Sequence, residues 1–173
     1  MTGLADWLSS LNATYPELRL DLLLRLLLAT VLGGAIGWER QASHKPAGLR
    51  TLILICIGAT LLTDLSMRAA AHATGPADPG RIAAQIVTGM GFLGAGTILQ
   101  SRGSIMGLTT AATMWVVAAI GMAVGFGAAI EAVGTTFLVL MALIPLRTLE
   151  VRAEARRNRD NLRVTAVGED IRE

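Results

Sequence analysis

The chain has 173 residues, 53% hydrophobic and only 16% charged, with a formal net charge of +2. That is too apolar for a water-soluble domain, whose surface must carry charge, and the crowding of Arg152, Arg156, Arg157, Arg159 and Arg163 near the C-terminus points to a membrane surface before nucleic acid. The single cysteine, Cys56, excludes a disulfide framework.

Residues 1–21 read as a periplasmic interfacial segment with Trp7 lying flat in the outer interface. Asp6 and Glu17 stand where a cleavable signal peptide would carry positive charge. Five apolar segments of membrane-crossing length follow, at 22–38, 51–67, 82–99, 108–126 and 128–146. They predict an all-α fold, a compact bundle of five transmembrane helices over residues 22–146. Gly125 and Gly127 mark a tight turn between the fourth and fifth. The first span carries Arg25, which costs about 2.5–3.5 kcal/mol at a helix centre. Seven Leu residues offset that cost, and Asp21 one turn earlier is the expected partner of its snorkelling side chain.

Orientation follows from Lys and Arg. One side of the membrane holds Arg40, Lys45, Arg50, Arg102, Arg147 and six more in the tail, against Arg19, Arg68 and Arg81 on the other. The N-terminus is therefore expected outside. The first and third loops and the charged tail 147–173 are expected in the cytoplasm.

The third span, with Gln85, Thr88, Gly89, Gly91, Gly94, Gly96 and Thr97, would make a poor lipid-facing helix. Its glycines fall on two opposite faces at 100° per residue, which predicts a central helix sandwiched between neighbours. Gly33 and Gly37 in the first span and Gly121 and Gly125 in the fourth form further close-packing stripes. Gly37, Gly48, Leu49 and Thr51 recur 59 residues later as Gly96, Gly107, Leu108 and Thr110. Each unit is then a helix, a cytoplasmic loop and a helix opened by Gly-Leu-x-Thr, a parallel repeat.

Chemistry is expected at the cytoplasmic helix ends. Glu39, Arg40, Arg50, Thr109, Thr110 and Thr113 outline a polar pocket, with Glu39 pairing to Arg50 or Arg40 and Pro46 and Gly48 stiffening the turn. On the outer side, Asp64 is expected to pair locally with Arg68. Asp64, Asp78 and Glu131 would suit a hydrated Mg²⁺ if they converged. No nucleophile elbow, P-loop or histidine pair at ligand spacing occurs, so neither catalysis nor a cofactor is expected.

Three runs carry a resemblance: GGAIGWERQASHKPAGLRTLILICIGA, DPGRIAAQIVTGMGFLGAGTIL and GLTTAATMWVVAAIGMAVGFG. Over about residues 22–146 the chain resembles the MgtC/SapB family of bacterial inner-membrane proteins. The resemblance implies a multi-pass protein of the bacterial inner membrane, linked to magnesium homeostasis and growth at low Mg²⁺, and in some members to virulence. It further implies, for some members, inhibition of the F-type ATP synthase by a membrane contact, and Mg²⁺ transport has been considered for the family. Longer members carry a cytoplasmic ACT-like domain after the bundle. Here residues 147–161 read as a charged helix, and Leu162, Val164 and Ala166 alternate like a first strand. The tail is thus that of a short member or the opening of such a domain. The leading expectation is a regulator working by helix contacts with another complex; the alternative is an ion transporter or channel. Spare glycine faces also invite a homodimer.

Overall fold

The computed structural model describes residues 19–101 and 104–144. The interfacial segment 1–18, Arg102, the end of the fifth expected span and the tail from 147 lie outside the described residues. Five helices are described: α1 (Leu20–Ala42), α2 (Leu49–Ala71), α3 (Arg81–Thr97), α4 (Leu108–Phe126) and α5 (Ala129–Ile144). The fold is all-helical as expected. α1, α2 and α4 are long and apolar enough to cross a membrane. α3 has 17 residues, about 26 Å at 1.5 Å per residue, which is short of the hydrocarbon thickness.

The expected third span ran to Leu99, but α3 ends at Thr97. Leu99–Ser101 (β1) and Ser104–Met106 (β2) instead pair antiparallel in a small hairpin. Gly107 then takes a left-handed φ of 91°, and a Cβ there would run into the Thr97 carbonyl oxygen, so both the dihedral and the close approach require glycine. Gly48 and Gly107 are the N-caps of α2 and α4, so the Gly-Leu-x-Thr pair opens two helices as the repeat predicts.

α4 ends in a Schellman turn. Gly127, at φ 86°, donates its N–H to the Val124 carbonyl at 3.0 Å, and Ala128 donates to the Ala123 carbonyl at 2.9 Å. That turn separates α4 from α5. The α1–α2 connection is tighter than its sequence implied: His44 and Ala47 adopt φ of 52° and 57° around Pro46, values uncommon outside Gly. A set of hydrogen bonds holds it, three of which follow. Ser43 Oγ donates to Glu39 Oε1, the Lys45 N–H to the Arg40 carbonyl, and the Leu49 N–H to Gln41 Oε1.

The core lies among α1, α2 and α4, with Ile36, Leu52, Cys56, Val117, Ile120 and Val124 essentially inaccessible. Glycine lets these backbones touch. A Cβ on Gly33 would sit 2.8 Å from Cys56 Cβ, and one on Gly37 2.7 Å from Leu49 Cα. On α4, a Cβ on Gly121 would strike the Cys56 carbonyl oxygen, and one on Gly125 would lie 2.6 Å from Thr63 Cβ. Real carbon contacts do not come that close, so side chains at these four positions would force the helices apart.

α3 is not the sandwiched centre that its glycines predict. Among the described residues nothing lies within 4 Å of a Cβ on Gly89, Gly91 or Gly96, and only Ala83, Met90 and Gly94 of this helix are buried. Gly94 makes ordinary contact with Ala111 Cβ at 3.5 Å. The physical reason is that α4 supplies its own glycines to the tight α2 interface, leaving α3 to pack through one narrow face. The centre of the bundle is α2 with α4.

Candidate functional site

The two ends of the helices gather the charged and polar groups. At the end bearing the 43–48 loop, Arg40 in the last turn of α1 is only 3% exposed, and its Nη2 donates to Thr110 Oγ1 at 2.8 Å. Thr110, 2% exposed, sits in the first turn of α4 because Gly107 starts that helix against the end of α3. A buried guanidinium must find acceptors, and this contact ties α1 to α4. Thr113, buried one turn on, donates to the Thr109 carbonyl at 2.7 Å.

The other expected members of this cluster turn elsewhere. Arg50 is exposed and makes no ion pair with Glu39. Glu39 instead accepts from Ser43, while its Oε2 is buried with no hydrogen-bond partner among the described residues. A carboxylate one turn from a serine closes the helix end more cheaply than a pair across the loop, since the 43–48 turn aims Arg50 outward. Of the six residues expected together, the structure joins Arg40 to Thr110 and places Thr113 and Thr109 along the same helix.

At the opposite end the expected local pairs are replaced by long-range ones. Arg19 binds Asp64 with both prongs, Nη1 to Oδ2 at 2.7 Å and Nη2 to Oδ1 at 2.8 Å. The Asp64 side chain is 6% exposed. The hydrogen bond to Asp64 raises the Arg19 guanidinium above its ordinary pKa, and burial only partly opposes this. Asp64 is therefore not the partner of Arg68. Asp21 pairs loosely with Arg19 at 3.8 Å rather than with Arg25. Arg25 Nη1 donates 2.8 Å to the Gly125 carbonyl in the last turn of α4, where a cation meets the negative end of the helix dipole. None of these partnerships has a sequence signal beyond the presence of a long cation, because each depends on how helices cross.

The carboxylates proposed for Mg²⁺ do not assemble. Asp64 is held by Arg19, Asp78 Oδ1 accepts the Gly80 N–H at 2.8 Å, and Glu131 is exposed on α5. Among the described residues no three His, Cys, Asp or Glu side chains form a metal-binding group. A cleft of about 390 Å³ opens nearby, lined by Ser66, Ala70, Ala73, Asp78 and Arg81. Ser66 fastens its rim, donating to the Pro79 carbonyl at 2.6 Å and accepting from the Ile82 N–H at 3.3 Å.

In the core, the hydroxyl of Thr60 bridges two helices, donating to the Cys56 carbonyl on α2 at 2.9 Å and the Gly121 carbonyl on α4 at 2.8 Å. Long apolar helices, glycine-mediated backbone contact and polar groups spent on interhelical bonds define a helical membrane protein. The chain belongs to the MgtC family, whose model matches residues 26–152. Protein MgtC of Salmonella choleraesuis is 45% identical over 147 residues, 85% of this chain and 59% of that protein. YhiD of Escherichia coli K12, described as a candidate magnesium transporter, is 50% identical over 111 residues, covering 62% of this chain and 52% of YhiD. An uncharacterized Haemophilus influenzae protein is 40% identical over 164 residues, 89% of this chain and 69% of its own. The chain thus spans about half to two thirds of the length of these relatives. No solved structure matches it.

Proposed function

We propose that this protein is a non-catalytic regulator of magnesium homeostasis in the bacterial inner membrane, acting through helix contacts with another membrane complex. The observation that carries this reading is the outward glycine face of α3. Among the described residues Gly89, Gly91 and Gly96 meet nothing within 4 Å, and Gln85, Thr88 and Phe92 are exposed beside them. In lipid, such a face gains little from acyl chains but lets another helix approach closely. The F-type ATP synthase is the partner that the family resemblance favours. The charge distribution supports an N-terminus outside and a cytoplasmic tail.

The test uses substitutions that the protein itself tolerates. Gly89→Leu and Gly96→Leu fill open space, so the bundle should remain intact while recovery of a membrane partner in detergent pull-downs, and growth at low Mg²⁺, are lost. Gly94→Leu is a poorer probe because Gly94 packs on Ala111. Unchanged partner recovery in both open-face variants refutes the contact reading. If the recovered partner is a second copy of this chain, the face is a homodimer interface and the regulator reading fails.

Ion transport is the second reading, favoured by Glu39, the residue before Arg40, whose Oε2 is buried with no hydrogen-bond partner among the described residues. Its signature is Mg²⁺ flux into liposomes holding the purified protein, abolished by Glu39→Gln. No flux under a gradient excludes it.

A further inference from the structure

We infer that the α1–α2 hairpin carries a binding site selective for an anionic phospholipid of the leaflet nearest the 43–48 loop. The two helices run antiparallel, with Gly33 against Leu52 and Cys56, and Gly37 against Leu49. One residue beyond that last contact turns each helix by about 100°. Because the helices run in opposite directions, those turns carry Trp38 and Arg50 to the same side of the pair. The other side is committed to α4, through Arg40 to Thr110 and Thr60 to Gly121.

The free side has the layout of a lipid site. Trp38 is 69% exposed, and Arg50 is exposed with no ion pair among the described residues. Below them toward the bilayer centre, Leu27, Val31 and Leu54 form an exposed apolar strip, and Gly34 between the helices makes only ordinary contact with Ile53. An acyl chain fits along that strip. The phosphate of its headgroup then falls at the guanidinium, and the indole lies at the headgroup level where Trp side chains partition. Charge complementarity selects an anionic headgroup over a zwitterionic one. His44 and Lys45 are exposed in the adjoining loop, which its hydrogen bonds hold in one shape, so the surface is prepared before lipid arrives.

Quenching of Trp38 fluorescence by brominated lipids tests this. In a Trp7→Phe, Trp115→Phe background, Trp38 alone reports. Reconstituted into mixed vesicles, it should be quenched by dibrominated phosphatidylglycerol in preference to dibrominated phosphatidylcholine. A relative affinity of about fivefold is expected, the effect of one basic side chain at an anionic surface. Arg50→Gln should bring that ratio to about one without changing helix content or elution volume, because Arg50 supports no other described contact. Equal quenching by the two lipids overturns the inference. So does a preference that survives Arg50→Gln, which would place the headgroup elsewhere. Absence of quenching by either lipid would show the face covered by protein and overturn it as well. None of these outcomes depends on the α3 face or on its partner.

Discussion

Arg19 reaches across 45 residues of sequence to hold Asp64 with two hydrogen bonds of 2.7 and 2.8 Å, fastening the start of α1 to α2. Removing one partner strands the other in a mostly buried position. Asp64→Ala should therefore cost about 2–3 kcal/mol, read as a lower midpoint of thermal unfolding in detergent. The double variant Arg19→Leu, Asp64→Leu should recover part of that loss. A single-variant midpoint equal to wild type would mean that the pair contributes nothing.

Glycines of the same helix type should separate into two groups. Gly33→Ala, Gly37→Ala, Gly121→Ala and Gly125→Ala each push a methyl into backbone or a packed Cβ, and overpacking of this kind costs about 1–3 kcal/mol. Gly89→Ala and Gly91→Ala meet open space and should be neutral or stabilising by up to about 1 kcal/mol through helix propensity. The same thermal assay ranks all six, and a reversed order would contradict the packing described for α2 and α4.

Thr110→Val removes the hydroxyl that accepts from Arg40 while preserving shape. A loss of about 1–3 kcal/mol is expected, with Thr110→Ser close to wild type. If valine and serine behave alike, the hydrogen bond is not what joins α1 to α4.

Arg25→Gln should loosen the last turn of α4 without unfolding the bundle, because it removes a charged donor from the Gly125 carbonyl. The cost is about 1–2 kcal/mol. Hydrogen exchange should rise at the α4 end and not at its Thr110 end.

Cys56 is free and fully buried between Gly33 and Gly121. It should resist a maleimide in the folded detergent complex and react after denaturation. Rapid labelling of the folded protein would contradict the close approach of α1, α2 and α4.

Hydropathy made the helices legible because burial in lipid or core demands an apolar run of fixed length. The expected 108–126 segment coincides with α4, and the expected first and second segments lie inside α1 and α2. The Gly127 turn was legible too, since only glycine adopts a left-handed helix end cheaply. The third segment misled for a physical reason: a glycine face reads the same whether it meets another helix or none. Arg25 and Asp64 misled likewise. Spacing of three or four residues offers each a neighbour on its own helix, yet long side chains in a low-dielectric interior take the best acceptor within reach, and that acceptor lay on another helix.

The amino-acid sequence by itself determined that this is a helical membrane protein of the MgtC family, roughly where its helices lie, and which positions are small enough for backbones to meet. Those properties are local, set by hydrophobicity, turn chemistry and side-chain volume. Only the tertiary structure decided that α2 and α4 form the centre, that Arg19 holds Asp64 and Arg25 caps α4, and that Trp38 and Arg50 share a face. These depend on the angle and register at which helices cross, which the pattern along one helix leaves open.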